Sequence, residues 1–199
     1  MRGAVMSNWP SKNQLRCIEG QSRLYESQID ALDPDMIFLI KRGLDRNQRN
    51  RLSSSMRAAG DGDPAKIAFE FGGATLELLE ADGRNIVLVE AIQEVDGDQR
   101  RCLAYAEYVE ECSAAPFSGA DRLDDVYAQL ADTYDNVTVI DLDPLMCPES
   151  VVIGRCAALV DAVLVRRDAS HISSSYAGLI GEGLVEILDD AGLLDPLDS

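Results

Sequence analysis

The residues best suited to chemistry are Asp168 and His171, in the stretch VRRDASHISSSYAGLIGEGLVEIL from Val165 to Leu188, which contains the single histidine of the chain. A hydroxyl nucleophile needs a base within reach, and the base needs an acceptor on its other ring nitrogen to fix its tautomer and stabilise its protonated form. The DxxH spacing lets the Asp168 carboxylate turn back onto Nδ1 of His171 and leaves Nε2 to act as the base. The same spacing suits a surface or capping histidine, so the motif alone leaves both roles open.

Four short apolar runs rich in strand-forming residues divide the chain. Each run is unbroken rather than alternating, as expected for strands that are covered on both faces in a parallel sheet. Helical segments separate the runs, which predicts one α/β domain with a doubly wound, mostly parallel sheet and helices on both faces. Asp168 follows the fourth run, and sites in such sheets form at the carboxyl ends of strands. The runs are MIFLI (36–40), NIVLVEAI (85–92), VTVIDL (137–142) and AVLVRR (162–167).

Helix signals lie between these runs. Pro64 suits the first turn of a helix before the second run, and Gly83 suits its end. Gly72 and Gly73 lie in the middle of that helix and cost about 1 kcal/mol each relative to alanine, so we expect a kink or close packing there.

A terminal amphipathic helix is predicted after His171. Ser173 or Ser174 can cap its first turn. Four apolar residues at helical spacing are expected to face the core, namely Ala177, Ile180, Leu184 and Leu188.

The composition excludes several classes of function. The 199 residues carry a formal net charge of −17, which repels phosphate backbones and anionic lipid head groups, so neither a nucleic-acid partner nor a membrane surface is expected. One histidine and the absence of CxxC disfavour a metal site, and no cofactor is expected because GxGxxG and the P-loop motif are missing. No apolar run approaches the roughly 18 residues of a transmembrane helix, and residues 1–12 lack the apolar core of a signal peptide.

Five cysteines raise the question of the redox compartment. Cys102 with Cys112, and Cys147 with Cys156, are close enough in sequence to close small disulfide rings. Buried free thiols in a reducing cytosol would account for the same residues, so both readings stay open. With two disulfides formed, Cys17 is left over.

The order of strand, Asp-x-x-His-x-Ser and terminal amphipathic helix resembles the last block of the SGNH hydrolase superfamily. More narrowly, the chain resembles the extracytoplasmic SGNH domain fused to multi-pass bacterial membrane acyltransferases of the acyltransferase 3 type. Three segments look like that family's cysteine, helix, L-x-P-D and strand, and like its two paired-cysteine segments: CIEGQSRLYESQIDALDPDMIFLIKRG (17–43), RRCLAYAEYVEEC (100–112) and VTVIDLDPLMCPESVVIGRC (137–156).

The resemblance spans Cys17 to Leu188. It implies an SGNH or flavodoxin-like fold in a single domain at 17–193, between an N-terminal segment (1–16) and a C-terminal tail (194–199). It also implies acyl transfer or ester hydrolysis, in which His171 is the base, Asp168 orients it, and an acetyl-like group moves to or from a glycan hydroxyl. A membrane acyltransferase domain is the implied partner, and the periplasm or cell surface is the implied location.

The resemblance also concerns the oxyanion donors and the nucleophilic serine. In this family an oxyanion donor commonly follows the strand that here ends at Ile40, which makes Arg42 and Gly43 the nearest positions. Asn47 is a nearby candidate for the asparagine of the superfamily name. The family's nucleophile lies in a Gly-Asp-Ser block after the first strand, and no Gly-Asp-Ser occurs in the 199 residues. Ser22 of GQS lies in a helical pattern without a preceding strand, and Ser7 follows neither glycine nor strand, so the nucleophile is unassigned.

Two hypotheses account for the missing serine. In the first, the sequence begins inside a longer protein whose upstream part holds the first strand, the Gly-Asp-Ser block and a cysteine that pairs with Cys17. In the second, the domain is complete but degenerate, and has a non-catalytic binding or scaffold role. Both predict little activity for this chain alone, because loss of a triad nucleophile costs orders of magnitude in rate.

Trp9, Arg166 and Arg167 are residue types that could bind a substrate. Trp9 suits a sugar-stacking platform, although peripheral packing is the favoured interpretation. Arg166 and Arg167 suit an anionic substrate beside the base, and a solvated strand end is favoured. An unrelated cytosolic α/β module, such as a nucleotide-binding one, is disfavoured because phosphate-binding motifs are absent and the chain is acidic.

Overall fold

The fold is described by a computed structural model for residues 27, 29–42, 64–81, 83–92, 94–116, 121–148 and 154–194. Strands β1 (Met36–Arg42), β2 (Asn85–Ile92) and β3 (Val137–Ile140) form a parallel sheet in the order β1-β2-β3. The first three apolar runs are therefore strands, and the predicted α/β class is confirmed. Within the described ranges, no helix combines the length and apolar character that spanning a bilayer demands.

The remaining elements are short hairpin strands and helices of 3 to 16 residues. They are α1 (Asp30–Leu32), α2 (Pro64–Leu79), α3 (Gln99–Leu103), a 3-10 helix (Val109–Cys112), α4 (Asp121–Thr133), α5 (Asp143–Met146), β4 (Leu159–Val160), β5 (Val163–Leu164), α6 (Ser174–Leu179) and α7 (Gly181–Asp190).

The chain divides into two compact units. Of the described residues, the first unit holds those up to Leu39, residues 64–88 and Arg122–Val139, and the second unit holds the others.

The first unit has an apolar core formed by α2, α4 and strand residues. Asn85 N–H donates to Asp35 O and Ile86 N–H donates to Asn136 O, both at 2.8 Å, which aligns the beginning of β2 with the residues that precede β1 and β3. The buried core residues are Leu76, Leu79, Ile86, Leu88, Val126, Leu130 and Val137.

Close helix packing explains the two glycines in α2. A Cβ atom on Gly72 would lie 2.6 Å from Leu130 Cδ1, and one on Gly73 would lie 2.7 Å from Tyr134 Oη. Both distances are shorter than a carbon–carbon or carbon–oxygen contact allows, so a larger residue at either position would force these side chains to move. The expected close packing is confirmed.

The fourth apolar run is not a fourth strand of the parallel sheet, which corrects that prediction. Asp161 and Ala162 adopt left-handed backbone conformations, with φ of 49° and 61°. Two successive positive-φ residues are typical of the turn in a two-residue hairpin. The chain therefore reverses, and Val163–Leu164 pairs antiparallel with Leu159–Val160.

The predicted terminal helix is present but is broken at Ile180 into α6 and α7. Glycine has low helix propensity, and Gly178, Gly181 and Gly183 surround the break. A Cβ atom on Gly183 would lie 2.7 Å from Leu145 Cδ2, so that glycine allows α7 to pack against Leu145. Leu188 is buried as predicted, but Ala177 is exposed and its neighbour Tyr176 is buried instead.

Candidate functional site

The DxxH loop brings the carboxylate of Asp168 onto the imidazole of His171. Nδ1 of His171 lies 2.8 Å from Oδ1 and 2.9 Å from Oδ2 of Asp168. Among the described residues, the ring makes its hydrogen bonds through Nδ1 alone, and the side chain is 56% exposed. A neutral ring with its proton on Nδ1 keeps a lone pair on Nε2, which is the arrangement that a general base requires.

The loop conformation is fixed mainly by its own backbone. Oδ1 of Asp168 accepts hydrogen bonds from the backbone N–H of Ser170 at 3.0 Å and of His171 at 2.9 Å. This is the local pattern that aspartate forms with the residues that follow it in a turn. The carboxylate therefore orients the imidazole and closes the turn at the same time.

Backbone pairing anchors both ends of the loop in the second unit. Arg166 and Ile172 form an antiparallel bridge, and Arg167 N–H donates to His171 O at 2.8 Å. Val95 N–H, three residues beyond the end of β2, donates to Ala169 O at 3.0 Å. These contacts replace the predicted parallel strand as the support of the loop.

The start of α6 also supports the loop. Ser173, two residues after His171, is the N-cap of α6, and its Oγ accepts a hydrogen bond from Tyr176 N–H at 3.1 Å. The buried Tyr176 in turn donates its hydroxyl to Leu145 O at 2.7 Å. The hydrogen bond confirms the predicted cap at Ser173. An N-cap of this kind contributes about 1 kcal/mol to helix stability.

Hydrogen bonding holds the pKa of the Asp168 carboxyl well below its usual range. The largest cause is the backbone N–H of Ser170, followed by the hydrogen bond to the side chain of His171. Partial burial opposes the shift, but this effect is smaller. Asp168 is therefore an anion at every pH at which an esterase would normally work, and an anion is the form that stabilises a protonated imidazole.

The two arginines before Asp168 lie in different environments. Arg166 is 1% exposed, so the predicted solvated position is wrong for this residue. Burial lowers the pKa of its guanidinium, and the charges of Asp143 and Tyr176 partly oppose that effect. Arg167 is 64% exposed, with Nε 4.0 Å from Oδ2 of Asp168. Arg167 is therefore accessible to a substrate anion, whereas Arg166 is buried inside the second unit and is not accessible.

Both predicted disulfides form. The Cα atoms of Cys102 and Cys112 are 5.5 Å apart, and those of Cys147 and Cys156 are 4.8 Å apart. These distances lie within the range typical of disulfides. The alternative of free thiols does not hold for these four cysteines.

Gln99 is a structural residue that sequence reasoning missed. It is 2% exposed, and its Nε2 donates to Cys112 O at 3.3 Å and to Cys156 O at 2.8 Å. One amide group therefore links a segment of each disulfide. No signal in the sequence distinguishes it, because glutamine after an N-cap aspartate is ordinarily solvated.

Several predicted site residues lie outside the described residues. These are the oxyanion candidates Gly43 and Asn47, the unpaired Cys17, the serines Ser7 and Ser22, and Trp9. Within the described ranges, no cluster of three or more His, Cys, Asp or Glu side chains is arranged to hold a metal ion.

Comparison with known proteins gives one match. A family model described as SGNH domain (fused to AT3 domains) matches residues 3–186. No curated protein and no solved structure matches the chain. The match covers most of the chain, including the DxxH loop, both disulfides and all three strands of the parallel sheet.

Proposed function

Because the chain belongs to the family of SGNH domains fused to AT3 domains, we propose that it performs acyl transfer or ester hydrolysis on acetyl-like esters of cell-surface glycans. The observation that carries the proposal is the 2.8 Å contact between Nδ1 of His171 and the carboxylate of Asp168. This contact prepares a base, and a base held by a carboxylate is what an ester-cleaving serine requires.

The chemistry runs in two proton-coupled steps. In the first, Nε2 of His171 takes the proton of a serine hydroxyl while the serine oxygen attacks the ester carbonyl, and the protonated ring then gives that proton to the departing alkoxide. In the second, an acceptor hydroxyl or a water loses its proton to Nε2 and attacks the acyl-serine, which releases the serine and the new ester or acid. Asp168 stabilises the imidazolium in both steps without taking its proton.

The roles of other residues are part of the same proposal. Gly43 and Asn47 are the candidates for oxyanion donors. No Gly-Asp-Ser occurs in the 199 residues, so we expect this chain by itself to have little esterase activity. The expected partner is an AT3 membrane domain, which the family description supports, and the expected location is outside the cytoplasm, which the two disulfides support.

The single histidine allows a direct test of the base. Long-range 1H–15N correlation spectra report which ring nitrogen carries the proton, and one set of imidazole signals is expected for the whole chain. We expect the neutral ring to carry its proton on Nδ1, and we expect Asp168→Ala to shift the proton toward Nε2. A ring protonated on Nε2 in the unsubstituted chain would contradict the proposed base.

Activity is tested in a protein in which this domain accompanies its AT3 domain. With 4-methylumbelliferyl acetate as substrate, His171→Ala should lower kcat by about a thousandfold or more, because removal of a triad member costs this much in serine hydrolases. Glu186→Gln, at an exposed position of α7, is the matched control and should leave the rate unchanged.

The alternative function is a non-catalytic binding or scaffold domain of the same fold. The absence of Gly-Asp-Ser from the sequence favours it. An unchanged rate in the His171→Ala protein would support this alternative over catalysis.

A further inference from the structure

Arg167 lies beside the carboxylate of the Asp168–His171 pair and is open to solvent. Its Nε lies 4.0 Å from Oδ2 of Asp168, and its side chain is 64% exposed. Oδ2 is also 2.9 Å from Nδ1 of His171. The guanidinium and the imidazole therefore flank the same carboxylate oxygen, so an ester bound at His171 would have an arginine nearby.

The contact with Asp168 does not occupy the guanidinium of Arg167 fully. Asp168 already accepts hydrogen bonds from the backbone N–H groups of Ser170 and His171 and contacts the imidazole. Hydrogen bonds with Ser170 and His171, rather than the charge of Arg167, lower the pKa of Asp168. A separation of 4.0 Å is also longer than the 2.7–2.9 Å or so of a charge-assisted hydrogen bond. The planar fork of N–H donors is therefore available to an acceptor on a ligand.

The segment that holds Arg167 is less acidic than the chain as a whole. The charged residues of positions 162–181 are two arginines and one aspartate, whereas the formal net charge of the chain is −17. Arg166 is buried, so Arg167 is the exposed cation of this segment. An anionic group that approaches His171 therefore meets a positive charge here, on a chain that is otherwise strongly acidic.

Carboxylates on a neighbouring segment limit the charge that such a ligand can carry. Val95 N–H donates to Ala169 O at 3.0 Å, and Glu94 and Asp96 flank Val95 in the sequence. Together with the net charge of −17, these carboxylates repel a ligand with many negative charges. A single carboxylate brings one charge and matches the planar fork of an arginine, so it is the anion that fits best.

We propose that Arg167 is a specificity-determining residue that binds the carboxylate of an acidic sugar, which makes the substrate an acylated glycan containing a uronic acid. The inference rests on the proposed function, because it names the substrate class of the same site. Arg167 holds one sugar carboxylate by charge-assisted hydrogen bonds, and the acyl ester on that sugar or its neighbour lies at His171. Asp168 keeps its contact with the imidazole throughout.

Binding is tested by NMR titration of the 15N-labelled chain with two matched sugars. Methyl β-D-glucuronide carries a carboxylate where methyl β-D-glucoside carries a hydroxymethyl group. We expect the glucuronide to bind with millimolar affinity, to shift the Arg167 Nε–H signal and the backbone signals of residues 167–171, and to bind about two- to fivefold more tightly than the glucoside, as one exposed ion pair allows. Arg167→Gln should remove this advantage, and Arg167→Lys should restore part of it. Arg100→Gln, at an exposed arginine of α3, is the matched control and should bind like the unsubstituted chain.

Three binding results would overturn the proposal. The first is equal affinity for the two sugars, and the second is undiminished binding of the glucuronide by Arg167→Gln. The third comes from a titration with sulfate at the same ionic strength. Sulfate that binds at residues 167–171 as tightly as the glucuronide would indicate a general anion site and would remove the assignment to a sugar carboxylate.

Substrate preference is measured in a protein in which this domain accompanies its AT3 domain. The readout is kcat/KM for O-acetylated methyl glucuronide divided by kcat/KM for O-acetylated methyl glucoside. Arg167→Gln should lower this ratio about two- to fivefold, mainly through KM of the glucuronide, and Arg100→Gln should not change it. An unchanged ratio in Arg167→Gln would overturn the specificity role. Absence of turnover with both esters would instead refute the proposed function, and the titration of the chain, which His171→Ala should leave intact, would still decide whether Arg167 binds the carboxylate.

Discussion

Replacing Asp168 by alanine tests how strongly its carboxylate stabilises the DxxH loop. The change removes the acceptor of two backbone N–H groups and of the imidazole N–H. An intramolecular hydrogen bond contributes about 0.5–1.5 kcal/mol net, and the Asp168 side chain is 43% exposed, so solvent screening reduces each contribution toward or below the lower limit. We expect a loss of about 1 kcal/mol in the free energy of unfolding at pH 7, or about 2–4 °C in Tm for a domain of this size.

The same variant has a predictable pH dependence. The pKa of Asp168 is lower in the folded state than its ordinary value of 3.8, so its stabilising effect is fully present above that value. The effect is lost as the pH falls from about 4 through the folded-state pKa, because protonation removes the anion that accepts these hydrogen bonds. The difference in Tm between the unsubstituted chain and Asp168→Ala should therefore persist from pH 7 to about pH 5 and should shrink below about pH 4.

Differential scanning calorimetry of three variants across this pH range measures the effect. Asp168→Asn keeps an acceptor oxygen without the charge, so its Tm should lie between those of the unsubstituted chain and Asp168→Ala. Asp132→Asn, at an exposed carboxylate of α4, controls for the general effect of removing one negative charge. A Tm difference for Asp168→Ala that matches the Asp132→Asn control, or that does not shrink below about pH 4, would refute the reasoning.

Three further predictions concern packing and cross-links. Gly72→Ala should lower the free energy of unfolding by about 2–3 kcal/mol, because the new methyl group clashes with the buried Leu130. Gly73→Ala should lower it less, because there the methyl group meets only the hydroxyl end of Tyr134. In urea unfolding, Tyr134→Phe should partly restore the stability of Gly73→Ala but not that of Gly72→Ala. Arg166→Ala should lower the free energy of unfolding by about 3 kcal/mol and Arg167→Ala by under about 0.5 kcal/mol, because only Arg166 is buried and its removal leaves a cavity in the interior; equal midpoints in urea unfolding would contradict this. The double variant Cys102→Ala, Cys112→Ala should lower the free energy of unfolding by about 2–3 kcal/mol, because without the cross-link the unfolded chain gains the entropy of a loop with a sequence separation of 10. A smaller change in Tm than that of the Tyr105→Ala control would contradict this prediction.

The parts of the fold that the sequence predicts correctly are those that local rules determine. The runs at β1, β2 and β3 are apolar without interruption, and a strand covered on both faces needs such a run. Pro64 begins α2 because proline suits a first helical turn, where its missing N–H has no role. The four paired cysteines are close in sequence, so their pairing depends little on tertiary structure.

The sequence-based predictions are wrong where contacts between distant residues determine the local structure. AVLVRR has the composition of a buried strand, but the positive φ angles of Asp161 and Ala162 turn the chain back. Aspartate is common at the first position of such a turn, but alanine rather than glycine follows it here, so the pair is a weak turn signal. Adjacent residues in an extended segment point to opposite sides, so of two arginines one is buried and the other is exposed. An arginine pair in a sequence does not reveal which side of the segment faces the interior.

The candidate site follows the same division between local and tertiary determinants. The Asp168–His171 contact was predictable because it depends on three-residue spacing and on a turn that aspartate forms with its own backbone. The support of the loop was not predictable, because the hydrogen bond from Val95 to Ala169 joins residues 74 positions apart. Gln99 was missed for the same reason, since its partners become neighbours only after both disulfide segments have folded.

The local origin of the Asp168–His171 pair, called the dyad below, limits what the pair implies about function. Because the Asp168–His171 geometry is built from neighbouring residues and from backbone pairing, it can persist in a domain with or without a serine to activate. A well-formed dyad is therefore necessary for the proposed chemistry, but it does not distinguish an enzyme from a degenerate relative of the same fold. The distinguishing property is a hydroxyl within hydrogen-bond reach of Nε2, about 2.6–3.2 Å in a productive complex. For that reason a correctly formed Asp168–His171 pair is compatible with both functions, and the effect of His171→Ala on turnover decides between them.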